Sequence, residues 1–234
     1  MTSADDPLPR ALRLLWQQDS AAPRRSRGLT REAIVTEAID LADADGLAAL
    51  SMARLAERLG CGTMSLYRHV ANKDELLTFM LAAAPGPAPP APEDADWAEA
   101  LTNWARQLWE VYHRHPWILR AASAGLPADP GQLAWLDAAL ATLSDTGLTE
   151  REKLTAVIAV LIFTRGSAAL AIEGRDVEDR QYPELLRRLV TPERFPALAA
   201  AIAAGALDQP DEDPLTEFRS GLDQLISGIA VKVR

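Results

Sequence analysis

The sequence predicts an all-α fold on three observations. Apolar residues recur at helical spacing with Ala and Leu throughout, and outside short runs such as "AVIAVLIF" almost nothing alternates with period two. A chain of 234 residues suits a small domain plus a larger one. The stretch "PGPAPPAP" at 85–92 divides the two, because proline lacks the amide donor and clashes with the preceding helical turn.

The elements follow in order. "LPRALRLLWQQ" is a short amphipathic stretch around Leu12, Leu15 and Trp16, and "DSAAPRRSRG" after it reads as a mobile connection. Thr30 N-caps a helix whose stripe Ile34, Ala38, Leu41, Ala42 ends at Gly46. Ser51 caps the next, with Met52, Leu55, Ala56 and Leu59 on one face. Gly60 and Gly62 allow a tight turn into a third helix from Gly62 to Val70. Asn72 caps a fourth from Lys73 to Ala84, with Glu75 placed to complete a capping box. Beyond the prolines, helices are expected at about 95–115, about 130–145 after Asp129-Pro130, and from Thr149 into Glu173 behind a Thr149–Glu152 capping box. One or two pieces fall between Pro183 and Ala206, and a last helix runs from Pro214 to near the C-terminus. No repeat of fixed period occurs.

Composition narrows the function classes. Cys61 is the single cysteine, which excludes an internal disulfide and a cysteine zinc site. No window is expected to reach the roughly 18 to 20 apolar residues of a bilayer span, and "MTSADDPLPRALRLLW" has acids where a signal peptide is positive, so a cytoplasmic protein is expected. Charge is uneven: residues 81–234 carry 14 basic and 22 acidic side chains, net −8, whereas residues 1–80 carry 10 and 11. Within the first part Arg24, Arg25, Arg27 and Arg31 gather in "PRRSRGLTR" as a cationic arm.

On the third helix, at about 100° per residue, Leu66 and Val70 define the buried side. Met64 and Arg68 point away from it, flanked by Ser65 and Tyr67. This ridge suits a DNA major groove, where arginine bonds two guanine acceptors, serine bonds several bases and an apolar tip meets a thymine methyl. Two helices joined by a short glycine turn form a helix-turn-helix whose second member reads bases. The competing reading leaves Tyr67 and His69 as cover for the edge of a three-helix core. Against it stand the cationic arm, the glycine turn, Arg68, and Lys73 at a helix N-terminus that can hold a phosphate.

Residues 29–81, with "A-x-x-L-A-x-x-x-G", "S-x-x-x-L-A-x-x-L-G" and "LYRHVANKDELL", resemble the DNA-binding head of the tetracycline-repressor (TetR) family of bacterial transcriptional regulators. The pieces "HPW", "LAWLDAALATLSDTGLTEREKLTAV" and "FRSGLDQLISGI" resemble its C-terminal domain more loosely. The resemblance implies an arm over 1–28, a helix-turn-helix DNA-binding domain over 29–84, and a helical ligand-binding and dimerisation domain over 93–234. It implies a homodimer on an imperfect palindrome of double-stranded DNA, released by a small-molecule effector. Thr63, Met64, Ser65 and Arg68 would lie near bases, and Tyr67, His69 and Lys73 would hold phosphates. Ser51 and the arm residues Arg24, Arg25 and Arg27 join the DNA-binding set. Met64 and Ala53 depart from residues common in relatives, so the operator sequence does not transfer.

The acidic part carries Trp97, Trp104, Trp109, Trp117 and Trp135. Core packing explains most buried aromatics; the sharper reading is an apolar pocket with a few polar groups. Candidate pocket residues are Trp104, Gln107, Leu108, Trp117, Trp135 and Arg165, with Asn103 and His113 as further polar members. Arg165, inside "VIAVLIFTRGSAALAI", needs an acid, a carbonyl or an anionic ligand as partner. In "HRH" at 113–115 the two imidazoles diverge by about 160° on a helix, so no metal is expected, and no cofactor. Residues that would hold magnesium-tetracycline have no clear counterparts. The stretches 150–173 and 214–231 are apolar on more than one face, which fits either a subunit interface or the core of a monomer. An enzyme is disfavoured: there is no nucleophile elbow, and "GCGTMS" lacks the preceding strand and third glycine of a dinucleotide site. The alternatives to a ligand-responsive regulator are an architectural DNA-binding protein without effector, or an all-α enzyme.

Overall fold

The computed structural model describes residues 8–18, 28–121, 128–173, 182–207 and 214–233. These form twelve α-helices and no strand among the described residues. In chain order they are α1 (Arg10–Gln18), α2 (Arg31–Asp45), α3 (Met52–Arg58), α4 (Thr63–Tyr67), α5 (Lys73–Ala83) and α6 (Trp97–Arg114). There follow α7 (Trp117–Ala121), α8 (Pro130–Ala141), α9 (Glu150–Glu173), α10 (Tyr182–Leu189), α11 (Pro196–Ala203) and α12 (Pro214–Ala230).

Side-chain caps set half of the starts. Thr30 Oγ1 accepts from the Ala33 amide at 3.1 Å, Ser51 Oγ from Arg54 at 3.2 Å, and Asn72 Oδ1 from Glu75 at 2.8 Å. The expected box at Thr149 and Glu152 forms in both directions, with the Thr149 amide donating to Glu152 at 3.0 Å. The box at Asn72 does not close as expected. The Glu75 carboxylate instead accepts the Ala71 amide at 2.6 Å, one residue earlier, and the same carboxylate is held by Arg10 of α1. At the ends, Gly46 and Gly60 take φ +79 and +62, conformations that side chains rarely adopt. Gly62 sits at φ −76, so the turn requires only one of the two glycines predicted for it.

The third helix is shorter than the predicted Gly62–Val70. α4 ends at Tyr67, and Arg68 forms its C-terminal cap, because the His69 and Val70 amides both close onto the Leu66 carbonyl. The side predicted to be buried is nevertheless buried, with Leu66 and Val70, just past the helix end, both fully enclosed in the core that also holds Ile34, Leu41, Leu55 and Leu76.

A continuous apolar core runs from the N-terminal helices into the C-terminal ones. α5 packs on α1 and α2 and also on α7 and α8. α6, α9 and α12 pack together, with Phe218 stacked on Trp109 at 4.4 Å between ring centroids. α10 and α11 bury no side chain. One expectation is corrected here: Glu150–Ile172 is long and apolar enough to cross a membrane by length and composition, although only 22% of its most apolar window is buried.

Candidate DNA-reading helix and effector cavity

On α4, Met64 is 72% exposed and Tyr67 is 46% exposed, with Thr63 and Arg68 also on the surface and Ser65 and His69 half-buried. A large thioether left in water on a five-residue helix gains nothing for folding. Arg68, the C-cap residue of the helix, is exposed at its end. Lys73, at the start of α5, donates its ammonium to the Leu50 carbonyl at 2.7 Å, which ties the two helix starts together. Ser51 is used as the α3 cap. Neighbouring cations are held by acids, Arg54 by Asp45 at 2.6 Å and Arg58 by Glu37. Arg24, Arg25 and Arg27 lie outside the described residues. Arg31 lies over the Phe79 ring at 4.8 Å, a cation–π contact within the bundle.

A cavity of about 240 Å³ lies between α6, α8 and α9. Its walls are Trp104, Leu108, Val111, Ile118, Trp135, Leu136, Ile158, Leu161 and Ile162, with Leu81 and Pro85 from the end of α5 and the residues after it. Three polar side chains reach it: Tyr112, Gln132 and Arg165. The indoles of Trp104 and Trp135 stand 6.3 Å apart at 58°. Each uses its N–H elsewhere, Trp104 on the Trp135 carbonyl at 2.9 Å and Trp135 on the Gly86 carbonyl at 3.0 Å, so both offer carbon surface to the cavity. Burial pushes the Tyr112 phenol up to about 12 despite the opposing Arg165 charge. Tyr112 therefore stays a hydrogen-bond donor at any physiological pH.

Of the predicted pocket residues, Trp104, Leu108, Trp135 and Arg165 line the cavity, and Gln107 and Trp117 do not. Trp117 is turned toward α2, where its indole N–H donates to Asp43 Oδ1 at 2.7 Å. His115 Nδ1 meets the same carboxylate at 2.8 Å, so Asp43 joins α2 to the α6–α7 corner. Asn103 accepts from Arg106, and His113 bonds the Trp109 carbonyl, both away from the cavity. Arg165 donates to the Leu119 carbonyl at 2.9 Å, one of the partners expected for it. Tyr112, Gln132 and Asp43 escaped the sequence reading. The periodicity of α6 places Tyr112 on the face of Trp104 and Leu108 and so could have found it; Asp43 meets partners 72 and 74 residues away, which no local pattern reports.

An exposed reading helix on a small bundle, joined through one core to a helical domain with an apolar cavity, defines a ligand-responsive helix-turn-helix DNA-binding protein. Residues 34–78 match the family model for bacterial regulatory proteins of the tetR family, and residues 89–233 match the tetracyclin repressor-like C-terminal domain. The chain belongs to the TetR family of transcriptional regulators. It is 33% identical to the HTH-type transcriptional repressor DrrR1 of Streptomyces coeruleorubidus, over 99% of this chain and 89% of that one. It is 29% identical to the class C tetracycline repressor of Escherichia coli, over 84% of this chain and 92% of that one. The fold is similar to Streptomyces coelicolor ActR solved in complex with (S)-DNPA, with TM-score 0.74 and 30% identity over 88% of this chain and all of that one. In complex with actinorhodin the same protein gives TM-score 0.77 and 27% identity, over 89% of this chain and 98% of that one. The protein is thus a ligand-responsive repressor of the TetR type, a family of regulators and not of enzymes.

Proposed function

We propose that this chain acts in the cytoplasm as a homodimer on an imperfect palindrome and leaves it when a flat aromatic effector fills the cavity. In this reading residues 29–84 form the DNA-binding domain and residues 93–234 the effector and dimerisation domain. Thr63, Met64, Ser65 and Arg68 face base edges, while Tyr67, His69 and Lys73 hold phosphates, as does the N-terminal end of α3 at Ser51. Arg24, Arg25 and Arg27 add sequence-blind, salt-dependent attraction.

The observation that carries the reading is the composition of the cavity wall. Leu81 and Pro85, at the end of the helix whose start holds Lys73, line the same space as the ligand-facing indoles. A ligand that displaces them acts on α5 directly, and shifts the equilibrium by its differential affinity for the two positions of that helix. Two indole surfaces and aliphatic walls suit an aromatic ring system, and Tyr112 and Arg165 suit acceptor oxygens along one edge. ActR, whose solved complexes hold actinorhodin and (S)-DNPA, supports a ligand of that class.

Dimerisation rests on α9. Thr155, Ala159, Ile162, Gly166 and Leu170 are exposed along it at spacings of three and four, an apolar and small-residue stripe over the length of the helix. Ile162 is 65% exposed and Leu170 75% exposed in the single chain, which suits cover by a second copy.

The test is selection of genomic fragments by the purified protein, followed by release with actinorhodin as an aromatic probe. A palindrome with half-sites about one helical turn apart supports the paired reading helices. Enrichment without symmetry, or a palindrome from which no aromatic compound releases the protein, would reject the dimer or the effector reading respectively.

A further inference from the structure

The first helix lies outside both matched family ranges, yet it is bonded to both halves of the molecule. Its apolar side, with Ala11 buried and Leu14 and Leu15 packed on the core, docks on α5. At its start, Arg10 Nη1 donates to both oxygens of Glu75, at 2.6 and 2.5 Å. The Glu75 side chain is only 5% exposed, and its carboxylate also accepts the Ala71 amide at 2.6 Å. Glu75 is thus the acceptor that fixes the turn "HVANK" between α4 and α5, and Arg10 is the charge that holds Glu75 there. At the other end of α1, the Trp16 indole N–H donates to the Ala128 carbonyl at 3.1 Å. Ala128 directly precedes Asp129, the buried cap of α8, whose Gln132 and Trp135 form part of the cavity wall.

We propose that α1 is a positioning strap for DNA recognition, in which Arg10 fixes the α4–α5 turn and Trp16 ties that turn to the start of the cavity-lining α8. Arg10 and Trp16 are positioning residues and touch neither DNA nor effector. The proposal rests on the assignment of His69 and Lys73, either side of that turn, to the DNA surface. Its chemistry needs no ligand other than the chain itself, since one guanidinium nitrogen bonded to both oxygens of a buried carboxylate sets geometry as well as charge.

Charge alone and geometry predict opposite signs, which makes the strap testable. Arg10→Ala removes a positive charge, and Glu75→Gln removes a negative one. If these residues act only through long-range attraction for DNA, Arg10→Ala weakens and Glu75→Gln strengthens binding to operator and random DNA alike. As a strap, both variants lower operator affinity roughly tenfold, about 1.4 kcal/mol, while random DNA changes much less. Arg10→Lys, which restores the cation as a more strongly hydrated ammonium on a shorter stem, recovers only part of the loss.

The experiment is operator and random-duplex titration of the full chain, on a fragment selected by the wild type, alongside hydrogen exchange of the free protein. In Arg10→Ala the Ala71 amide exchanges faster while the α2 and α3 core amides keep their protection, which shows that the fold survives. In wild type, operator binding slows exchange at 128–133. Trp16→Phe abolishes that slowing and leaves Ala71 protected. Unchanged Ala71 exchange in Arg10→Ala, opposite signs for the two charge variants, or operator-induced protection that persists in Trp16→Phe overturns the strap. Faster Ala71 exchange with unaltered operator affinity would instead locate the failure in the assignment of His69 and Lys73.

Discussion

At the scale of single residues, the two cations at the reading end have different tasks and so different signatures. Arg68 ends α4 on the exposed side, beside Met64, where a forked guanidinium can pair with a guanine edge. Arg68→Ala should cost about 1 to 3 kcal/mol at one base pair and relax preference there, whereas Lys73→Ala should weaken all sequences alike and reduce the salt slope by about one. Titration of both variants against operator, point-substituted operator and random duplex checks this, and equal losses on all three for Arg68→Ala would remove its assignment to bases. Asp129 offers a second test, through pH. It caps α8 with its Oδ1 on the Gln132 amide at 2.9 Å and is 4% exposed, and burial raises its carboxyl above the ordinary 3.8. The native state therefore holds this proton more tightly than the unfolded chain does. Stability is lost as pH rises from 3.8 through the raised value, and the loss persists above it. Asp129→Asn keeps the cap acceptor and cannot ionise. The difference in melting temperature, variant minus wild type, should grow in the variant's favour between about pH 3 and neutrality; a flat difference would show that ionisation of Asp129 costs the fold nothing.

At the scale of elements, what the sequence revealed and what it concealed divide by range. Starts were legible because their chemistry is local: Thr30, Ser51, Asn72 and Thr149 each bond an amide within three residues. The stripe of Ile34, Ala38, Leu41 and Ala42 was legible because one face repeats at helical spacing. The end of α4 was not, since Arg68 and His69 are compatible with a further helical turn and only the tertiary fold directs the chain away there. Trp117 was misplaced for the same reason, as its Asp43 partner is remote in sequence. The contact of α5 with α8 was equally hidden. Gly131 lies against the α5 backbone so closely that an added methyl would overlap the Ala82 carbonyl oxygen. Backbone cannot swing aside as a side chain can. Gly131→Ala should push α8 off α5 and cost about 1 to 3 kcal/mol, read as a lower denaturant midpoint at unchanged slope. Because Leu81 and Pro85 face Gln132 and Trp135 across the cavity, the same variant should weaken binding of the aromatic probe. Full stability with unaltered probe binding would show that the two helices are not held at a fixed spacing.

At the scale of the whole molecule, charge and exposed apolar surface together determine how the chain can assemble. Residues 81–234 carry net −8 and residues 1–80 net −1, so DNA is repelled far more strongly from the second part than from the first. The apolar stripe of α9 belongs to the acidic part, where the proposed pairing of two copies would bury it. Helical periodicity alone could not distinguish that stripe from a buried core face; what does is that Val157, Val160, Thr164 and Ala168 are buried while Ile162 and Leu170 stay exposed on the same helix. A guanidinium at Leu170, which is 75% exposed, would strain nothing within one chain but would be desolvated between two. Leu170→Arg should therefore leave helicity and aromatic-probe binding intact while converting the sedimenting species at micromolar concentration from dimer to monomer. Affinity for the full palindrome should then fall by roughly two orders of magnitude or more, toward that of a single half-site, because the second head no longer binds as part of the same molecule. A variant that still sediments as a dimer with unaltered operator affinity would place the interface elsewhere than α9, and the spacing of the two reading helices would have to be set by other surfaces.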